Sequence, residues 1–447
     1  NAGVTTNPSF RMGFSLPEET GLSSDTLQRI DALARRAVKL RATPGCVVLV
    51  AKNGQVVFQR AYGYHTYQRK RSVRVDDVYD LASVTKILAS TLAVMKLYEE
   101  GRLDLDAPLR RYLPDLAATN KSDLILRDVM AHHAGLIGWI PFYKQTLSGS
   151  RRNPRPSPAF YHRYPDEDYA IPVTGRLHLR RDFADSIRAQ IRRSELRPTR
   201  GYKYSDLGFY LIAEIVEQIA GQPLDEYVEA TFYRPMGLRT ATFRPWRRLP
   251  LDLVPPTEED RYFRCEQVRG YVHDMGAAML GGVSGHAGLF ANAQDVATLM
   301  QMLLQGGYYG GRRYLREATV AEFTTRHPRS TRRGIGFDMF QLDHRFPPNF
   351  SPLASKQTFG HTGFTGTCVW ADPENELIYV FLSNRTYPSM SNYRLNKMEV
   401  RPRIQTLVYK ALHGEPPQPP PPALPPHPEP VVLPEKPVVG PVASGQD

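Results

Sequence analysis

Ser83-Val84-Thr85-Lys86 is the stretch of this 447-residue chain with the clearest chemical potential. A serine at a helix start and a lysine three residues later lie on one helical face, within hydrogen-bonding reach. Such a lysine can take the serine proton once its pKa falls from about 10.4, and burial under an apolar helix lowers it by penalising the ammonium. The helix N-terminus adds partial positive charge and free backbone N–H groups where an oxyanion would form. Alone, the pattern is expected on the order of once by chance in a chain rich in serine and lysine. A capping serine beside a surface lysine is the plain alternative, so the surroundings decide.

The elements that must position these residues are legible on either side. Ser24 can cap a helix carrying Leu27, Ile30, Leu33, Ala34, Ala37 and Val38 on one apolar stripe. Gly45 to Ala51, the turn Asn53-Gly54 and Gln55 to Ala61 read as a β-hairpin. Val84 to Glu100, without Gly or Pro and apolar on most faces, reads as a buried helix ended by Gly101. Helical patterns recur at Leu124 to Met130 and Leu207 to Ile219, with Pro- and Arg-rich loop between them. Cys368 to Ala371, the turn Asp372 to Asn375 and Leu377 to Ser383 give a second hairpin, and a closing helix runs near Arg401 to Leu412. The expected fold is α/β of the α+β kind: residues 1–75 and 287–414 form an antiparallel sheet lobe, and 76–286 form a mostly helical lobe with a basic insertion at 137–200. Residues 415–447 hold about a dozen prolines and read as a linker or disordered tail.

Composition excludes several function classes. No apolar run approaches the roughly 20 residues of a membrane span. The chain opens at Asn1 without methionine or an apolar leader, so it reads as a processed or excised piece. Cys46, Cys265 and Cys368 are too few for a disulfide framework and read as buried small hydrophobes. The net charge of +12 permits an anionic partner such as an acidic surface or cell-wall polymer. The densest arginines, between Arg151 and Arg200, are broken by Pro, Tyr and Asp, so no nucleic-acid partner is expected. His132, His133, His273, Asp274 and His286 make no closed zinc set, and neither metal nor cofactor is expected. Gly282-x-Ser284 is followed by His286 where a nucleophile elbow needs glycine, which argues against a Ser-His-Asp hydrolase.

Ser83 to Lys86 resembles the Ser-x-x-Lys element of the serine β-lactamase and penicillin-binding protein family. It stands where that family puts it, after a strand pair and at the head of an apolar helix. Gly101-Arg-Leu-Asp-Leu-Asp-Ala-Pro-Leu109, Tyr112-Leu-Pro-Asp115 and Arg127-Asp-Val-Met-Ala-His-His-Ala-Gly-Leu136 look like the segments that follow. Tyr204-Ser205-Asp206 resembles the second motif, Tyr-x-Asn, and His361-Thr362-Gly363 the third, Lys-Thr-Gly or His-Thr-Gly. The resemblance covers about residues 20 to 412. Val272-His273-Asp274 and Leu280-Gly-Gly-Val-Ser-Gly-His-Ala-Gly-Leu-Phe290 are similar to a subgroup described as D-alanyl-D-alanine carboxypeptidases and to hydrolase modules fused behind a cell-wall glycosidase.

The resemblance implies that Ser83 forms an acyl-enzyme while Lys86 and Tyr204 handle its proton. It implies an oxyanion hole from the N–H groups of Ser83 and Phe364, and substrate contacts from Asp206, His361, Thr362, Gly363 and His286. A histidine at 361 carries charge only near or below neutral pH. Most of the family has asparagine where this chain has Asp206; a carboxylate there favours the Lys86 ammonium and shifts the working base toward Tyr204. The expected substrate is a D-alanyl cell-wall peptide, a β-lactam or an ester, in a periplasmic or other extracytoplasmic setting. A carboxylesterase of the class VIII type and a penicillin-binding sensor that acylates without turnover are the alternatives.

Overall fold

The near-continuous apolar runs at Gly45–Lys52 and Leu377–Ser383 belong to strands buried on both faces, the burial such runs call for. The computed structural model describes residues 11–150, 152–199, 201–343 and 349–414, so the expectation for the tail 415–447 lies outside the described residues. Seven strands make the main sheet: β1 (Gly13–Phe14), β2 (Gly45–Lys52), β3 (Gln55–Gly63), β4 (Asp338–Met339), β5 (Phe359–Thr362), β6 (Cys368–Asp372) and β7 (Leu377–Ser383), in the order β1-β3-β2-β7-β6-β5-β4. Asn53 and Gly54 both take positive φ, as a two-residue hairpin turn between β2 and β3 requires. All neighbouring pairs are antiparallel except β1 on β3, which is parallel, so the sheet is mixed at one edge rather than wholly antiparallel.

Helices cover both sheet faces. Helix α1 (Ser24–Lys39) and the last helix, Val400–His413, pack against Cys46, Val48, Val50, Trp370, Tyr379 and Phe381. The opposite face, with Val47, Leu49, Val369 and Val380, joins the larger core built with Leu92–Glu99, Leu207–Ala220 and Ala293–Leu304. These four helices are α2 (Leu92–Glu99), α3 (Leu207–Ala220), α4 (Ala293–Leu304) and α5 (Val400–His413). Ser23, not Ser24, caps α1 by accepting from the Thr26 N–H at 3.3 Å.

Two local expectations change. The segment from Ala82 to Glu99 is helical throughout but not of one pitch: a tight turn at Ala82–Val84, a wide π-type turn at Lys86–Thr91, then α2. Widened turns of this kind concentrate at functional sites. The basic insertion is not loop alone, since it folds as the hairpin Leu147–Ser150 with Asn153–Pro156, a three-stranded sheet of Tyr161–His162, Leu177–Leu179 and Ile171–Thr174, and a helix at Phe183–Arg193. Phe183, Ile187 and Ile191 bury one face of that helix, a stripe masked in sequence by the arginines around it. Cys46 and Cys368 are buried, while Cys265 is half-buried.

Candidate active site

Ser83 sits on a turn held from three sides. Ala82, just before it, takes a positive φ of 47°, a conformation L residues adopt only where neighbours impose it. The buried carboxylate of Asp80 imposes it by accepting from the Ala82 N–H at 2.8 Å and the His273 N–H at 2.7 Å. From beyond β5, Thr365 Oγ1 donates to the Asp80 carbonyl at 2.7 Å and Thr367 Oγ1 to the Leu81 carbonyl at 3.2 Å. A Cβ on Gly363 would lie 2.1 Å from Thr367 Oγ1 and 2.5 Å from the Leu81 carbonyl oxygen, so the third motif needs glycine to lie this close.

Lys86 is fully buried, and each of its three N–H bonds has an acceptor: Ser83 Oγ at 3.0 Å, Asp206 Oδ1 at 2.7 Å and the His286 carbonyl at 3.3 Å. Burial pushes its pKa down, but the Asp206 carboxylate and Tyr204 overcome that and hold the pKa above the ordinary lysine value. The side chain is therefore an ammonium that donates to Ser83. Its nitrogen also lies 4.8 Å from the Tyr204 ring centre and 5.5 Å from that of Phe209.

The second motif precedes α3 and is gripped by the loop after Met130. His132 Nδ1 accepts from the Ser205 N–H at 3.2 Å, Ser205 Oγ donates to the Ile137 carbonyl at 2.6 Å, and the Asp206 N–H donates to the Gly138 carbonyl at 2.9 Å. The His132 ring packs 4.5 Å from that of Tyr204, and burial holds it well below the ordinary imidazole pKa. The Tyr204 hydroxyl is buried with no hydrogen-bond partner among the described residues. Burial raises its pKa, partly countered by Lys86.

His361 lies at the end of β5 with both ring nitrogens engaged. Nδ1 bonds the Thr362 carbonyl at 2.7 Å, so it carries the proton, and Nε2 accepts from Arg333 at 3.2 Å. Burial and the neighbouring Arg333 lower its pKa to about 3. The imidazole is thus neutral through the physiological range, and the positive charge beside the third motif belongs to Arg333. Arg333 also donates to the Tyr202 hydroxyl at 3.0 Å and lies 3.7 Å from Asp338.

Ser83, Tyr204, His361, Thr362, Gly363 and Phe364 line one cleft of about 320 Å³. Lys86 and Asp206 join it through Ser83. His286, expected at the substrate, does not line it: its ring is 2% exposed, bonded through Nε2 to Asp274 Oδ1 at 2.8 Å and through Nδ1 to Ser284 Oγ at 2.9 Å, and only its carbonyl reaches Lys86. Sequence reasoning missed Arg332, Arg333, Arg385 and Arg401, which share the cleft. They come from segments far from Ser83 in the chain, and no spacing flags them. Asp80, three residues before Ser83, was the one missed positioning residue within local view.

This arrangement, a serine bonded to a buried ammonium with a tyrosine alongside and a glycine strand across the cleft, defines a serine hydrolase with a β-lactamase and transpeptidase-like fold. The chain belongs to the beta-lactamase family, whose profile matches residues 30–399. A protein of Salmonella agona named "Putative D-alanyl-D-alanine carboxypeptidase" is 32% identical over 408 residues, covering 85% of this chain and 87% of its own. Among solved structures, EstCE1, described as a hydrolase with promiscuous acyltransferase activity, aligns with a TM-score of 0.61 at 22% identity, covering 86% of this chain and 99% of its own. A penicillin-binding protein homologue from Caulobacter crescentus aligns at 0.57 and 20%, covering 82% and 93%. At those identities the structures share the fold.

Proposed function

We propose that this hydrolase is a D-alanyl-D-alanine carboxypeptidase that works through an acyl-enzyme on Ser83. The observation that carries the reading is the cleft itself: a serine bonded to Lys86 faces Arg333, Arg385 and Arg401, a lining suited to a peptide with a terminal carboxylate. Ser83 Oγ attacks the carbonyl of the penultimate D-alanine as its proton passes to Tyr204 Oη, which acts as base once it has shed its own proton, a loss that the Lys86 ammonium favours and burial opposes. The Ser83 and Phe364 N–H groups take the oxyanion. Tyr204 returns the proton to the departing D-alanine amine, and water then hydrolyses the ester. Asp206 keeps Lys86 charged and so makes Tyr204, rather than Lys86, the base. This substrate implies a cell-wall setting outside the cytoplasm, where fusion behind a glycosidase module would also make sense.

One observation favours a carboxylesterase instead: the third-motif His361 carries no charge, so that position attracts no carboxylate by itself. Intact-protein mass spectrometry after brief exposure to a fluorescent penicillin, beside D-alanine release from a D-alanyl-D-alanine peptide and p-nitrophenyl butyrate turnover, separates the two. A Ser83 adduct with D-alanine release supports the peptidase. Fast ester turnover with neither sinks it, and an adduct that persists without any turnover would mark a sensor.

A further inference from the structure

Beyond Tyr393 the Ser83 cleft continues onto a basic shelf. Tyr393 borders both the cleft and a second cavity of about 390 Å³, whose lining includes Arg41, Tyr67, Arg394 and Lys397. The short helix Arg394–Lys397 joins the two, because its neighbour Tyr393 and its own Asn396 face the cleft while Arg394 and Lys397 face the shelf. Arg41 is braced over the Tyr67 ring at 3.9 Å, and Arg394 donates to the Leu40 carbonyl at 3.3 Å. All three cations are exposed, and none has a carboxylate partner among the described residues. Within the cleft, Arg385 stacks 5.0 Å from the Tyr393 ring and gives its N–H groups to the Met390 and Asn392 carbonyls, again without a carboxylate. Cations therefore line both the Ser83 cleft and the shelf, with Tyr393 bordering each.

We propose that Arg41, Arg394 and Lys397 form a distal subsite for a second carboxylate on the acyl substrate, so that the preferred substrate is an acidic peptide. This rests on the peptidase reading above. Exposed cations attract an anion through long-range, salt-screened forces, and three acting together give a preference of about tenfold.

The test is a matched pair of D-alanyl-D-alanine peptides, one with a side-chain carboxylate upstream and one with the carboxamide in its place. They are compared on the native protein and on the Arg41→Ala, Arg394→Ala, Lys397→Ala triple variant. The acid-over-amide ratio of kcat/KM should fall about tenfold in the variant, chiefly through KM, and about 0.5 M salt should erase it in the native protein. Equal handling of both peptides by the native protein, or equal losses on both in the variant, overturns the subsite. If neither peptide is turned over while p-nitrophenyl butyrate is, the peptidase reading fails. The shelf is then judged by fluorescence anisotropy of the two labelled peptides on Ser83→Ala protein: an acid preference lost with the three cations upholds it, and no preference overturns it.

Discussion

Two serines of this molecule share one local pattern and differ in nearly everything around it. Ser83 is bonded to Lys86 at 3.0 Å, and Lys86 to Asp206 at 2.7 Å. Ser284 is bonded to His286 at 2.9 Å, and His286 to Asp274 at 2.8 Å. Both are serine, nitrogen side chain and carboxylate in series, and the His286 carbonyl links the second to the first through Lys86. Yet Ser83 is half-buried at the head of a helix and faces a cleft lined by arginines, whereas Ser284 is 3% exposed in a loop before β-structure at Leu289–Ala291. Asp274 further caps the helix Met275–Met279 by accepting from the Ala277 N–H, and the Tyr210 ring stacks 4.2 Å from His286. If Ser83 is the nucleophile, as proposed above, the difference teaches that a hydrogen-bonded triad is not itself a catalytic device. What makes a nucleophile is access for the electrophile and a positive field where the oxyanion forms; Ser83 is the more exposed of the two serines and heads a helix, although Ser284 also borders a cavity, of about 350 Å³.

The sharpest way to break that comparison is to exchange the serines for alanine one at a time. Ser83→Ala should lower kcat/KM on every acyl substrate by roughly four orders of magnitude or more. Ser284→Ala should leave it within about tenfold and lower stability by about 1 kcal/mol for one lost hydrogen bond. Comparable losses in activity from the two would show that the triads are equivalent.

The link between the triads is tested next. His286→Ala removes the ring of the residue whose carbonyl lies against Lys86 and strands the half-buried Asp274 carboxylate, which His286 keeps well below the ordinary range against its own desolvation. A loss of about 1–3 kcal/mol in chemical denaturation is expected. His286→Gln, which can still donate to Asp274, should recover part of it; equal damage from both would deny the side chain this role.

A third change acts on the Ser83 triad alone. Asp206→Asn removes the main group that holds the Lys86 pKa up against burial, so that pKa falls. Lysine then becomes the neutral base, and the rising limb of kcat/KM against pH should move to lower pH. A limb that stays in place would show that Asp206 does not set the charge on Lys86.

The smallest effect is on stability. His361 and His133 are depressed to about 3 and about 4 by burial, against about 6.5 in the unfolded chain. Between those values the unfolded state binds more protons, so stability rises with pH and is lost as pH falls from about 6.5 toward 4 and below. The thermal midpoint should drop across that window, and the His133→Gln, His361→Gln double variant should flatten the slope. A flat profile in the native protein would mean that both rings take up protons when folded.

Helix α3, the hairpin β2–β3 and the hairpin β6–β7 were legible because their signals are local: apolar period, an Asn-Gly turn, caps and breakers. The folded insertion at 137–200 was not, because its strands are short and carry Pro and Arg, and their burial comes from packing. The charge on Lys86 could be anticipated from the aspartate in the second motif. The charge on His361 could not, since Arg333 reaches it across 28 residues of chain.

By itself, then, the sequence determined which side chains could react. Ser83 and Lys86 are one helical turn apart, so backbone geometry alone puts them in contact. The tertiary structure decided which charges those side chains carry and which of two serines meets the solvent. Asp206 lies 120 residues from Lys86, and the His286 carbonyl 200. Ionisation follows burial and near neighbours in space, and both are products of packing that no local pattern of residues records.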